Sequence, residues 1–291
     1  LLSTIDLKLV HGFNGYTENI GSTENVGYEA MLGGYILRNP GVGFTWNVTG
    51  KLAYTRNKIL TLSDELKRET EKRRQTSEYG TLFYEGRSQN SIYAVRSLGI
   101  NPADGEELFL DAEGNVTKTW DPSYRVYCGV GEPTFRGSIN SLLSYKDLSL
   151  NLSFGFHWGG KQYNSTLLDK VEVPVGLEGS GVDRSIINNV DNRVFTERWQ
   201  KAGDYKFFKG YSDEATRSSS RFVMDDKVFQ LQSLSLQYSW RTGFVKKVLH
   251  AETVNLSVNM SDLFYLSSIK RERGTDYPFA NNIQFAFSVI F

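Results

Sequence analysis

Ile283-Gln-Phe-Ala-Phe-Ser-Val-Ile-Phe291 is the stretch whose pattern decides the fold of this chain. Ile283, Phe285, Phe287, Val289 and Phe291 share one phase of a two-residue period, while Gln284, Ala286 and Ser288 share the other, with Ile290 the single apolar intruder. A β-strand sends successive side chains to opposite faces. One face of this strand is therefore bulky and apolar, and the other is small and mostly polar. The closing strand of an outer-membrane β-barrel has this form, and Phe291 reads as its aromatic assembly signal. The last strand of a soluble sandwich has it too, so the rest of the chain must choose.

The 291 residues carry 33 basic and 33 acidic side chains. This balance leaves no electrostatic footprint for nucleic acid. Mean hydropathy is −0.38, and no stretch approaches the ~20 apolar residues of a membrane-crossing helix. Barrel strands alternate instead of running apolar, so hydropathy does not register them. Cys128 is the single cysteine, which excludes a disulfide framework and a thiolate metal site. Neither a basic-then-apolar leader nor an initiator Met stands at Leu1, which reads as a mature piece or a fragment.

Alternation recurs in seven further segments. Ile5, Leu7 and Leu9 form the first apolar phase, Val26 to Leu32 the second, and Phe44 to Tyr54 the third. Phe135 to Tyr145 and Leu148 to Trp158 follow, then Leu234 to Trp240 and Val254 to Met260. Phe229 and Leu231 sit on the opposite parity from Leu234, which predicts a β-bulge near Gln232. Asp6, Lys8, Glu29, Lys51 and Arg136 all fall on polar phases. On a lipid face such a charge costs about 2–4 kcal/mol at the bilayer midplane, whereas a wet lumen accepts it. Tyr54, Tyr145, Trp158 and Trp240 close strand ends, where the aromatic girdles of a barrel belong.

The connections alternate as well. Arg38 to Val42, Lys146-Asp147 and Arg241 to Leu249 are short, whereas 58–133, 159–227 and 262–279 are long. With the carboxy terminus set in the periplasm, every long segment becomes extracellular, as outer-membrane barrels arrange them. Asp64 to Gln75 reads as a solvated loop helix, and Pro102 to Gly105 and Asp111 to Gly114 as turns. Asp111-Ala-Glu-Gly-Asn115 is faintly calcium-like but lacks the spacing and the closing Glu of an EF-hand. No metal or other cofactor is expected.

The loops carry a more specific signal. Asn19-Ile-Gly-Ser-Thr-Glu-Asn-Val-Gly-Tyr-Glu29, Tyr84-Glu-Gly-Arg-Ser88 with Ile92-Tyr93, and Gly99-Ile-Asn-Pro-Ala-Asp-Gly105 occur in order. Gly159-Gly160 with Tyr163-Asn164 comes next, then Asn189-Val-Asp-Asn-Arg193, Arg198-Trp199 and Gly203-Asp204. Ser219-Ser-Arg-Phe-Val223 and Arg271-Glu-Arg-Gly-Thr-Asp-Tyr-Pro-Phe-Ala280 complete the series. Together these motifs resemble the carboxy-terminal barrel half of SusC-like (SusC/RagA family) TonB-dependent outer-membrane transporters. Asn101, Asp104 and Ser261-Asp262 depart from the usual residues of that pattern.

The resemblance implies an all-β fold, an antiparallel transmembrane segment of about eight strands from a barrel of about 22. Residues 1–291 are then one unit of that barrel, with the plug domain and the amino-terminal strands outside the chain. It also implies import of oligosaccharides or peptides, a SusD-like lipoprotein lid, TonB acting through the missing region, and a setting in outer-membrane lipid. Among the aromatics in or near the long loops, Tyr84, Tyr93, Trp120, Trp158, Tyr163 and Trp199 are candidates for stacking on substrate. Loop packing and girdle anchoring are the plainer roles for the same residues. An Arg198–Asp204 ion pair is expected to fix a loop.

Two rivals remain at this point. One is a self-contained eight-stranded barrel with a structural or adhesin role, although its inward Ser, Asn, Thr, Gly and Ala fill an eight-stranded interior poorly. The other is an outer-membrane hydrolase. The chain offers His11, His157 and His250 but no Gly-x-Ser-x-Gly elbow, so no enzyme is expected.

Overall fold

Alternation over most of the chain leads to strands over most of the structure. The computed structural model describes residues 2–6, 15–19, 21–75, 80–172, 193–210, 216–248, 250–270 and 282–291. β1 (Leu2–Asp6) and β2 (Gly15–Asn19) pair antiparallel in a two-stranded sheet of their own. β3 (Gly21–Asn39) and β4 (Phe44–Leu62) follow, and then helix α1 (Asp64–Arg74). Short strands fill the first long connection: β5 (Gly80–Thr81), β6 (Ser91–Val95), β7 (Ser97–Ile100), β8 (Glu107–Leu110), β9 (Val116–Thr117) and β10 (Arg125–Val130). β11 (Phe135–Tyr145), β12 (Leu148–Tyr163), β13 (Val223–Trp240), β14 (Thr253–Ser267) and β15 (Asn282–Ile290) complete the chain.

The long strands form one 7-stranded sheet in the order β15-β14-β13-β12-β11-β4-β3. Neighbours in space are neighbours in the wall's own sequence, the up-and-down order that barrel strands follow. The expected first wall strand departs from this. Among the described residues Leu2–Asp6 pairs only with Gly15–Asn19, and Leu7, Lys8 and Leu9 lie outside them. A self-contained barrel would pair β3 with β15, but these two strands are the opposite edges of the sheet.

Packing divides residues 1–291 into two compact units. One comprises Leu1–Val26, Arg56–Glu132 and Gly160–Asp225, and the other Gly27–Thr55, Pro133–Gly159 and Asp226–Phe291. The second unit holds the central wall. Its register sets Leu236 beside Val258 and Val258 beside Phe285, then Tyr238 beside Leu256 and Leu256 beside Phe287. These rows share one face, and Phe285 is 81% and Phe287 66% exposed. A soluble sandwich would cover such rows with a second sheet. Here they stand open across several strands, far beyond the scattered apolar exposure of a soluble surface.

The bulge falls where the parity change predicts it. The β13–β14 register shifts between Leu231 and Ser233, and the extra residue lies in β14, whose Asp262 and Leu263 stand opposite the single Gln232. The Gln232 side chain lies over Gly155 so closely that a Cβ there would collide with it. Phe229 stacks on Phe154 at 5.6 Å between ring centroids.

The short turns gather at one end of this unit. Lys146 N–H donates to the Gly43 carbonyl at 2.8 Å, and Ser239 N–H to the Asp147 carbonyl at 2.8 Å. The third connection contains the Gly243–Val248 helix, and Glu252 N–H donates to the Ile290 carbonyl at 2.7 Å. Phe291 therefore sits at the short-turn end. The girdle aromatics separate accordingly. Trp158 stacks on Phe135 at 5.2 Å and Phe135 meets Tyr54 at 5.2 Å, while Tyr145 and Trp240 mark the short-turn end.

Candidate functional site

On the wall's other face the side chains are small and hydrogen-bonding. Ser235 Oγ donates to Asn259 Oδ1 at 2.6 Å, Ser239 Oγ to Asn255 Oδ1 at 2.8 Å, and Asn255 Nδ2 to Ser288 Oγ at 3.4 Å. These are cross-strand partners, so the period-two pattern of the sequence is also a ladder of polar contacts. Arg136 lies opposite His157 on this face. His157 Nε2 is 3.0 Å from Asp226 Oδ2, with both side chains partly buried. His157, expected as a polar lining residue, thus has a specific partner. His250 is exposed at the short-turn end, and His11 lies outside the described residues.

The other unit is built from the long connections. Ser63 caps α1 by accepting from Leu66 N–H at 3.2 Å. Its far end is tied down by Arg125, which donates to the Arg73 carbonyl, and by Arg74, which donates to the Ser123 carbonyl. Exposed Glu and Arg residues pair along the helix, so it is the solvated loop helix that its composition implies. Asp111 Oδ1 accepts from the Glu113 and Asn115 N–H groups. Those bonds, after desolvation working the other way, hold the carboxyl below its ordinary range. The calcium-like motif is thus a self-bonded turn. Among the described residues no cluster of three or more His, Cys, Asp or Glu is placed to hold a metal.

The loop core centres on buried charges, of which the motifs contain only Arg221. Arg221 bonds to Glu107 at 2.8 Å and to Glu172 at 3.0 Å, and all three side chains are almost wholly buried. Ser219 Oγ donates to Glu107 at 2.6 Å, and Arg221 Nη1 to the Phe207 carbonyl at 2.6 Å. The guanidinium also faces the Phe222 ring at 4.5 Å. Burial alone would lower the Arg221 pKa, but the bonds to Glu107 and then Glu172 outweigh it and raise it. The expected Arg198–Asp204 pair does not form. Arg198 is buried and donates to the carbonyls of Val171, Glu172 and Lys209, while Asp204 accepts from the Gln200 and Lys201 N–H groups. Buried carbonyls offer the guanidinium more bonds than one half-buried carboxylate.

The candidate aromatics do not converge. Tyr84 and Tyr93 do meet, with ring centroids 5.3 Å apart. They are joined by Tyr127, 5.9 Å from Tyr93, and by the Arg87 guanidinium, 4.4 Å from the Tyr127 centroid. Burial pushes both the Tyr84 and Tyr93 phenols up, with Glu71 adding to the shift at Tyr84. Tyr127 went unnoticed in the sequence because only the β6–β10 register sets it opposite Tyr93. Trp120 donates to the Ser218 carbonyl at 2.9 Å. Tyr163 is buried with Leu167, Val171, Phe208 and Phe222. Trp199 donates to the Pro102 carbonyl at 3.0 Å and packs on Gly105, where a Cβ would strike its ring. Trp158 belongs to the apolar face of the wall, stacked between Phe135 and Phe156.

Comparison with known proteins follows the same lines. No protein-family model matches the chain. TonB-dependent receptor P3 of Formosa agariphila is 27% identical over 288 residues, covering 93% of this chain and 26% of the relative. TonB-dependent receptor P39 of the same organism is 31% identical over 121 residues, covering 42% of this chain and 11% of the relative. The chain spans about a quarter of the length of the first of these. Among solved structures, the RagAB peptide importer in its open-open state superposes with a TM-score of 0.73 at 16% identity, covering 100% of this chain and 31% of that one. The RagAB peptide transporter gives a TM-score of 0.71 at 16% identity, over 91% of this chain and 28% of that one. Those likenesses show the fold, an all-β barrel portion. Across nearly its whole length the chain resembles the barrel of SusC-like TonB-dependent outer-membrane transporters, as the motifs in its sequence do.

Proposed function

We propose that this chain supplies part of the wall and the loops of a TonB-dependent importer in a bacterial outer membrane. The observation that carries the reading is the two-faced wall, whose apolar rows lie open while its polar rows bond laterally. Only a bilayer on one side and a wet lumen on the other satisfy both faces. The names of the relatives support transport, and none of them denotes an enzyme. Among the described residues β3 and β15 are the free edges, and they call for further strands to close the barrel, because an open edge is not viable in lipid. We place those strands, a plug and the TonB-contacting segment in sequence outside these 291 residues, and this chain in the carboxy-terminal part.

In this reading Phe291 and the short turns face the periplasm and the long connections face outward. The outward loops receive a SusD-like lipoprotein lid, and the cargo is an oligosaccharide or a peptide. The likeness to RagAB, a peptide importer, favours the peptide. Tyr84 and Tyr93, with Tyr127 and Arg87, are the loop aromatics best grouped for a ligand. Trp120, Tyr163 and Trp199 act as loop packing. The polar face of the wall lines the path around the plug.

Native purification from outer membranes tests this, with peptide mapping and uptake of labelled peptides and oligosaccharides by cells with and without the protein. Peptides reading upstream of Leu1 into a plug, a co-purifying lipoprotein and uptake lost on deletion are expected. A true amino terminus at Leu1 with no partner chain overturns the reading.

A further inference from the structure

At the short-turn end of the wall, the Gly243–Val248 helix buries one apolar residue and exposes two. Val245 is fully buried against Ala251 and Val254, which anchors the helix beside β14. Phe244 and Val248, four residues apart and so on one side of the helix, remain 53% and 55% exposed. Phe244 stacks on Trp240 at 5.7 Å between centroids, and Trp240 ends the apolar phase of β13. The exposed side of the helix therefore continues the open apolar face of the wall. Lys246 and Lys247 stand exposed on the same short helix.

Cations recur along this end, each beside an aromatic ring or a turn. The Arg38 guanidinium lies 5.3 Å from the Tyr35 ring, Lys146 Nζ lies 5.3 Å from the Tyr145 ring, and Arg241 lies 3.8 Å from Asp147. Among the described residues, the acidic side chains in these turns are Asp147 and Glu252. In water, Phe244 and Val248 next to Trp240 would be an unsheltered patch. At a bilayer interface the same arrangement is favourable: apolar side chains sink to the acyl boundary, rings lie at headgroup level and lysines meet phosphates.

We propose that Gly243–Val248 is an interfacial helix, lying in the lipid leaflet at the short-turn end and holding anionic phospholipid headgroups through Lys246 and Lys247. The proposal rests on the outer-membrane reading above, which supplies the bilayer. The charge excess commits the occupant to anionic lipid, and continuity with the apolar wall commits it to a membrane and not to a soluble partner.

The test reconstitutes the intact transporter that contains this chain in nanodiscs of zwitterionic phospholipid, with and without an anionic phospholipid. Val248→Cys and, as a reference on the wall, Phe285→Cys are spin-labelled in a Cys128→Ser background and probed with oxygen and a water-soluble nickel chelate. Both labels are expected to collide with oxygen and to be shielded from nickel. Lys246→Gln/Lys247→Gln is expected to reduce the preference for anionic lipid among retained lipids by about fivefold per lysine. A water-exposed label at Val248 with a lipid-exposed label at Phe285 overturns the helix proposal alone. Unchanged lipid preference in the double variant overturns the headgroup assignment. Water at Phe285 overturns the membrane reading itself.

Discussion

Trp199 shows how a loop motif becomes structure at the residue scale. Its indole N–H reaches the Pro102 carbonyl and its ring covers Gly105, so two distant motifs hold one another. Trp199→Ala is expected to loosen the 99–105 segment by about 3–5 kcal/mol, and Trp199→Phe, which keeps the ring packing, by about 1 kcal/mol. Hydrogen exchange of that segment in the intact protein checks the order. Arg221 is held to a stricter rule, because its removal strands Glu107 and Glu172 in a buried site. Arg221→Met should cost about 3–5 kcal/mol, with resistance to proteolysis recovered when Glu107→Leu and Glu172→Leu accompany it. The Asp104–Lys118 pair gives a pH dependence. The Lys118 bond first, and then the Glu106 N–H, lower the Asp104 carboxyl below its ordinary 3.8. A lowered carboxyl stabilises above the unfolded value and loses that contribution as pH falls through the folded one. Exchange in the β7–β8 hairpin should therefore rise below pH 3.8, and begin at higher pH in Lys118→Met.

At the scale of elements, the β13–β14 pairing depends on a single extra residue in β14. Deleting Asp262 removes the bulge and forces one half of β14 to turn its apolar phase onto the polar face. Loss of outer-membrane assembly is the expected result, measured by heat-modifiable migration, while Asp262→Asn, which tolerates the positive φ, should assemble. Both the bulge and α1 were legible in the sequence, the one from a parity change and the other from charge and capping. The short strands β5 to β10 were not, because two to six residues carry too little alternation to stand out from a loop. Their pairing is set by register, and register also produced the Tyr93–Tyr127 contact.

For the whole molecule, the assignment of the two faces makes a direct prediction. Leu256 stands in an exposed apolar row and Ser257 in the polar one. Leu256→Arg should lower stability in lipid by about 2–4 kcal/mol, whereas Ser257→Arg should change it little. Equilibrium unfolding of the intact protein in lipid vesicles compares them.

The sequence by itself determined seven of the long alternating strands, the long and short connections and the resemblance that the loop motifs carry. Period two and turn chemistry act between near neighbours, so they are written locally. Only the tertiary structure decided that seven strands share the sheet, that β1 leaves it, and that Arg221 joins Glu107 to Glu172. It also decided that Arg198 turns to carbonyls and not to Asp204. Those outcomes depend on which distant groups meet in a buried place, where each polar atom must find a partner, and no local pattern encodes that meeting.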